Sequence, residues 1–327
     1  MSLIFSDRYL RRLIGLAIVL MAGAGGALAQ SYPTRQITLV IPFAAGSSTD
    51  AVARLVAQNL QTALGQGVVV ENKAGAGGMI AAQTVARAPG DGYTLLLTTN
   101  STHSAANGLY KTVPYDPIKD FTPVVRIGGF PNFIGVNAKL PINTPAELVA
   151  YAKSNPGKLN FGAGNSTGHI MSELLKRRMG IDMVRVAYRS NPMAVTDLIA
   201  GHISVMCLEF TTGMPQVRAG TVRPLAMITR DHSHLLPDLP TLGETILPGF
   251  DLMPWVGIFG PANMPPDVVQ TLAREFEKMI AKPEVKEQFV TGGMDVYWIG
   301  PAQFPDFVKS ELVKWTALIK EAGIEPE

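Results

Sequence analysis

Short apolar runs rich in β-branched residues alternate along this chain with stretches whose apolar positions recur every three to four residues. Ile37 to Phe43 leads into the helical pattern Ala51 to Leu64, Val68 to Val70 into Met79 to Arg87, and Thr94 to Thr98 follows the turn Pro89 to Gly92. A second set has the same rhythm: Asn160 to Ala163 then Met171 to Met179, Val184 to Ala187 then Ala194 to Ala200, and Ile203 to Met206. Such alternation predicts βαβ units around mostly parallel, buried sheets, one sheet per set. Between the sets lies Val124 to Asn137, extended and interrupted by Gly128, Gly129 and Pro131; after the second set comes Pro248 to Gly260, broken by Pro254. Two extended crossings suit a hinge. The tail reads as helices opened by Pro265-Pro266, Pro283 and Pro301, the last ending near Gly323, and Thr144-Pro145-Ala146-Glu147 has the form of a capping box. The expected fold class is α/β: two sheet-centred domains joined by two crossing strands around a central cleft. Residues 30–130 and 251–327, with the C-terminal helices packed back, would form a discontinuous first domain, and 131–250 the second.

The N-terminal stretch departs from this rhythm. Arg8, Arg11 and Arg12 precede the apolar run Leu13 to Met21, and small residues lead to Ala27-Leu28-Ala29. That layout is a secretory signal peptide with cleavage after Ala29, its apolar core shorter than the roughly 20 residues of a spanning helix. The twin-arginine pattern around Arg11-Arg12 is only partial, and no cysteine follows the cleavage point to take a lipid. Residues 1–29 carry three Arg and one Asp, so the 28 basic and 26 acidic residues of the whole chain become 25 and 25. The exported chain is formally neutral and offers no basic face to nucleic acid or anionic lipid. Cys207 is the only cysteine, which excludes an internal disulfide. A periplasmic monomer that needs no cofactor is expected.

Candidate chemistry lies in a repeat. Phe43-Ala44-Ala45-Gly46-Ser47-Ser48-Thr49-Asp50 and Phe161-Gly162-Ala163-Gly164-Asn165-Ser166-Thr167-Gly168 share Phe, Ala, Gly, Ser and Thr at one spacing, 118 residues apart. Each copy joins a strand to a helix, where free backbone N–H groups, small hydroxyls and the helix dipole together favour an anion. Caps at Ser48 and Ser166 would explain one such loop without a ligand. Two matched copies facing each other across a hinge fit a pincer for one carboxylate. Of Thr99, Asn100 and Ser101, which end a strand, Asn100 is the chosen candidate to reach that ligand. Tyr188, Trp255 and Phe130 are aromatic candidates for the cleft wall, and Asp50 reads as a cap of backbone N–H groups. Glu209 follows the Ile203 to Met206 strand and should lie near the part of the ligand that the loops do not hold.

The chain also resembles a known family. Pro42 to Asp50, Val70-Glu71-Asn72-Lys73-Ala74-Gly75-Ala76-Gly77-Gly78, Asp91-Gly92-Tyr93-Thr94-Leu95-Leu96, Pro114-Tyr115-Asp116, Lys119-Asp120-Phe121, Pro156-Gly157-Lys158-Leu159-Asn160, Arg218-Ala219-Gly220 and Leu239-Pro240-Thr241 are similar to motifs of the tripartite tricarboxylate transporter receptors, or Bug proteins. The resemblance implies a type II periplasmic binding protein that holds a carboxylate through both loops, partly by way of waters. It implies ligands such as dicarboxylates, amino acids and aromatic acids or amides, and a large and a small membrane subunit as transport partners. Two departures bear on selectivity: Ser47 and Ser48 stand where glycine is frequent, and Cys207-Leu208-Glu209 replaces a segment that often reads Phe-Asp-Asn.

Rival motifs are weaker. Gly164-Asn165-Ser166-Thr167-Gly168 fits the G-x-S-x-G elbow of a serine esterase, with Asp197 and His202, or Asp231 and His232 or His234, as the remaining partners; no His follows His234 and no HGGG-type loop is present. Gly75-Ala76-Gly77-Gly78 lacks the third glycine of a dinucleotide turn, because Ile80 occupies its place. His232-Ser233-His234 has no spaced carboxylate or thiol to complete a metal site. His169 has no acid near it in sequence and reads as a supporting donor rather than a base.

Overall fold

The computed structural model describes residues 32–327; the export segment and its cleavage point lie outside them. Strands β1 (Ile37–Ile41), β2 (Val68–Asn72), β3 (Thr94–Thr99), β4 (Phe121–Gly129), β10 (Trp255–Pro261) and β11 (Asp295–Ile299) form one sheet in the order β11-β4-β10-β3-β1-β2. Strands β5 (Asn132–Asn137), β6 (Asn160–Ala163), β7 (Val184–Ala187), β8 (Val205–Glu209) and β9 (Val222–Met227) form the other, in the order β7-β6-β8-β5-β9. Ile37, Leu39, Val40 and Ile41 of β1 and Leu95 to Leu97 of β3 are buried. Side chains of both strand faces are thus covered, as central strands between helical layers require.

The sheets are mixed, which corrects the mostly parallel expectation. β2, β1 and β3 run parallel, as do β7, β6 and β8, whereas β10 pairs antiparallel with β3 and β4, and β5 antiparallel with β8 and β9. The physical reason is the crossing. β4 leaves the first sheet, turns through Phe130 and Pro131, and enters the second as β5, while the chain returns through Leu252 to Pro254 into β10. A strand arriving from the opposite lobe runs against strands that end at the cleft. Phe130 N–H donates to the Pro254 carbonyl at 2.9 Å, tying the two crossings together.

Expected helices form, and their starts sit earlier than the apolar pattern alone suggested. The first runs Ser48–Leu64 and the matching one Ser166–Met179, so hydroxyl residues of both loops occupy first turns. At Pro145–Ser154, Thr144 accepts from Glu147 N–H, but Glu147 returns to the Asn143 amide rather than to Thr144. The last helix, Phe304–Ala322, packs on both lobes. Phe304 and Val308 join the core around Trp255 and Phe259, while Trp315, Ile319 and Ala322 join the core holding Phe161, Ile170 and Leu174. Nineteen residues give a helix about 28 Å long, enough to reach beyond one lobe.

One turn needs explaining because a candidate residue sits at its head. After β3 the chain winds widely through Ser101–Ala105, and His103 there is fully buried. Its ring stacks on Phe259 at 4.0 Å between centroids, meets Phe121 edge-on at 4.5 Å, and its Nδ1 shares a 2.9 Å hydrogen bond with Thr102 Oγ1. Thr102 is fixed further by Thr98 Oγ1 at 2.6 Å, and its carbonyl accepts from the Tyr115 hydroxyl at 3.0 Å.

Burial pushes the His103 imidazole down to about 3 from 6.5. The folded state therefore favours the neutral ring, and the stability linked to it is complete above pH 6.5 and drains as pH falls toward 3. About 2 kcal/mol should be lost from this group by pH 5. Urea unfolding at pH 7 and pH 5 should show that loss in the wild type and a smaller one in His103→Phe; equal losses would remove His103 as the source.

Candidate functional site

The ends of β1, β3, β6 and β8 converge between the two sheets, and the twin loops face each other there. Ser47 caps the first helix by accepting from Asp50 N–H at 3.2 Å, and Asn165 caps its counterpart by accepting from Gly168 N–H at 2.8 Å. The caps occupy matched positions, one residue before the serines expected to cap. Ser48 and Ser166 are instead the first helical residues, so the caps leave the Ser48, Thr49 and Thr167 amides without intrahelical carbonyls, while Ser166 N–H donates to Ser101 Oγ at 3.4 Å.

The loops are braced differently. Asp50 Oδ2 accepts from Gly46 N–H at 3.0 Å and from Arg54 Nε at 3.1 Å, and Oδ1 accepts from Asn72 Nδ2 at 2.9 Å. Burial of Asp50 opposes its charge, yet these hydrogen bonds and the Arg54 charge outweigh it and hold the carboxyl below its ordinary range. Asp50 is thus the backbone cap that the sequence suggested. In the second loop the matching position is Gly168, and the brace comes from outside the loop: Asn191 Oδ1 accepts from Gly164 N–H at 3.1 Å. A Cβ on Gly164 would stand 2.3 Å from Asn191 N, so glycine permits this approach.

Across the cleft the lobes touch directly. Ser166 Oγ shares a 2.8 Å hydrogen bond with Ser101 Oγ, and Asn100 Nδ2 donates to Ser166 Oγ and Thr167 Oγ1, each at 3.2 Å. This is a closed cleft. It retains two small cavities of about 10 Å³ each, on the scale of one water. Phe43, Thr49, Asn165 and Glu209 line both; Thr99, Asn100, Ser101, Phe130, Asn132, Thr167 and Pro254 complete one, and Ser47, Gly164, Ser190 and Asn191 the other.

Most sequence candidates therefore meet, with exceptions. Ala45 and Gly46 are exposed, and buried Ser48 lines neither cavity. Tyr188 and Ser166 line neither cavity but face an adjoining pocket of about 170 Å³, with Ser101, Gly164, Asn165, His169 and Arg185, and the Tyr188 hydroxyl donates to Asp197 at 2.6 Å. Trp255 is core, packed against Phe259, Phe304 and Phe307. Sequence reasoning missed Asn132, Ser190, Asn191 and Pro254. Asn191 opens a helix after β7, and that start, with Pro192 inside it, was the available signal.

Glu209, 8% exposed, ends β8 between the cavities. Its Oε1 accepts from Asn165 Nδ2 at 2.7 Å and Oε2 from Asn191 Nδ2 at 2.6 Å, with Thr212 Oγ1 at 3.4 Å from Oε2. Burial raises its pKa, and these hydrogen bonds offset only part of that rise.

The esterase arrangement does not assemble. Among the described residues no histidine hydrogen-bonds Ser166; Asp197 holds Tyr188, and His232 Nε2 lies 2.9 Å from Glu244 Oε1. The Gly75 to Gly78 segment is a tight turn in which a Cβ on Gly77 would collide with Tyr110.

Two α/β lobes closing a cleft between paired helix N-termini define a solute-binding receptor of the type II periplasmic binding-protein fold. The chain belongs to the tripartite tricarboxylate transporter receptor family, whose pattern it matches over residues 52–324. It is 33% identical over 313 residues to BugT of Bordetella pertussis, covering 95% of this chain and 96% of BugT. A Rhodopseudomonas palustris protein solved with bound malate shares 31% identity and a TM-score of 0.83 over 88% of this chain and all of that one. An R. palustris protein solved with adipate shares 34% identity and a TM-score of 0.88 over 90% of this chain and all of that one.

Because burial raises the Glu209 pKa in the folded protein, the stability tied to it is full below the ordinary value of 4.5 and declines as pH rises through the raised one. Thermal unfolding of the wild type should lose ground to Glu209→Gln between pH 4 and pH 7, by about 1.4 kcal/mol for each pKa unit of displacement. A constant difference between the two proteins across that range would contradict it. Gly164→Ala should destabilise by about 1–3 kcal/mol in urea unfolding, because the second loop must give way.

Proposed function

We propose that this receptor captures one small carboxylate-bearing molecule in the periplasm, performs no chemistry on it, and passes it to a large and a small membrane subunit. The observation that carries the reading is the pair of matched loops, capped at equivalent residues and facing each other across the cleft. First-turn amides of Ser48, Thr49 and Thr167 have no intrahelical carbonyl within reach, and the hydroxyls of Ser47, Thr49 and Thr167 border the same cavities. A carboxylate between them would take charge-assisted hydrogen bonds of about 1.5–3 kcal/mol each, and three or four reach the roughly 8 kcal/mol of micromolar binding. Malate and adipate in related structures support an acid as ligand. Ser166 without a histidine partner supports binding over hydrolysis.

Entry requires the lobes to part, since the closed cleft retains only about 10 Å³ in each cavity. We assign the motion to residues 130–131 and 252–254, where the chain crosses, with 30–130 and 251–327 moving against 131–250. In that motion Asn100 and Ser101 exchange their hydrogen bonds to Ser166 and Thr167 for solvent.

Native mass spectrometry of protein purified from the periplasm should show a retained small acid, recovered unchanged. Small-angle scattering should then show compaction when that acid is returned to stripped protein; tight binding without compaction would refute the hinge. Thr49→Val should weaken calorimetric affinity for it about 10-fold, the loss of one hydrogen bond.

A further inference from the structure

Glu209 presents a buried carboxylate whose donors are all neutral. Among the described residues it forms no ion pair. Both of its amide partners are locked in orientation by their other ends. Asn165 Oδ1 is committed to Gly168 N–H and Asn191 Oδ1 to Gly164 N–H, so each must turn its NH₂ toward Glu209. A proton on either carboxyl oxygen would meet an N–H donor unless it turned away, so the donors are arranged for the carboxylate while burial without a countercharge opposes it. A buried charge normally requires a partner of opposite sign.

Acceptors near Glu209 are left without donors. Asn100, wholly buried, lines a cavity with Glu209, and its Oδ1 has no hydrogen-bond partner, because its Nδ2 is the end that engages Ser166 and Thr167. Ser190 Oγ is likewise buried and unpartnered beside the other cavity. Carboxylate and amide oxygen therefore call for hydrogen-bond donors, the carboxylate for positive charge as well, and the Ser190 hydroxyl can serve either role, whereas the helix starts of the twin loops call for negative charge.

We infer that the ligand carries a carboxylate at one end and a protonated amine at the other, and that Glu209, with Asn100 Oδ1, is the group that selects the amine. This rests on the receptor reading and narrows it. A plain dicarboxylate would bring its second negative charge against Glu209, so the residue rejects diacids as well as selecting ammonium. Glu209 contacts the ligand through the lone pairs that Asn165, Asn191 and Thr212 leave free, and an ammonium has donors for both Glu209 and Asn100.

Calorimetry with two series matched in chain length tests this: β-alanine, 4-aminobutyrate and 6-aminohexanoate against malonate, succinate and adipate. At the length that fits best, the amino acid should bind at least about 10-fold more tightly than its diacid, as expected for a charge-assisted contact. In Glu209→Gln the preference should narrow from both sides, the amino acid losing about 10-fold and the diacid gaining. The wild-type comparison alone decides the matter if the Gln protein does not fold. A wild type that prefers the diacid, or a substitution that moves both series equally, overturns the inference. The acid retained through purification gives an independent reading: one with an amine upholds the inference, and one without an amine overturns it while the receptor function stands. Failure to bind any carboxylate defeats the receptor reading itself, and the inference with it.

Discussion

Backbone N–H groups at the start of a helix have no carbonyl to reach, and in this protein two such starts are placed at the ends of buried strands, facing one cleft. Each set of amides must find oxygen or remain unsatisfied in a poorly hydrated place. Ser47 and Asn165 satisfy one amide per helix through equivalent caps, at Asp50 and Gly168. The next amides are left to whatever enters between the lobes. The proposed carboxylate would thus be held by the strand-to-helix geometry itself, with no lysine or arginine among the residues lining the two small cavities.

Because both loops solve the same problem, their differences are informative. The first is self-contained: Asp50 binds back to Gly46 and is neutralised by Arg54, whose guanidinium reaches Oδ1 at 3.0 Å. The second has glycine where Asp50 would be and takes its rigidity from Asn191, which in turn holds Glu209. A negative charge is therefore compensated at one loop and left uncompensated at the other. The proposed polarity of the ligand, an anion at one end and a donor at the other, rests on this difference, which two identical loops would not supply.

Closure and specificity share residues. Asn100 and Ser101 bridge to Ser166 and Thr167, so the contacts that hold the lobes together lie among the residues lining the cleft cavity. The long Phe304–Ala322 helix adds a firmer connection, since its two ends belong to different apolar cores. Movement about the crossings must keep both ends packed, which favours a small rotation over wide separation.

The sequence by itself determined what is local and periodic. Alternating strand and helix patterns, the glycine- and proline-marked crossings and the repeated Phe-Ala-Gly-Ser-Thr loop revealed the architecture and the two loops that meet across the cleft, because a helix start after a strand is set by near neighbours. Its family motifs pointed to the receptor class for the same reason. Long-range pairing was not legible. Direction of the crossing strands depends on which lobe they enter from, and the double docking of the last helix depends on where two cores lie. The chosen cap, Ser47 rather than Ser48, turned on a one-residue shift that either serine's chemistry allowed. Asn132, Ser190 and Asn191 carry no signature of their own, and Glu209 acquired its character only when folding placed it between two amides fixed by distant backbone. Charge balance in a buried site is a sum over neighbours brought together from separate parts of the chain, and only the tertiary structure supplies that list.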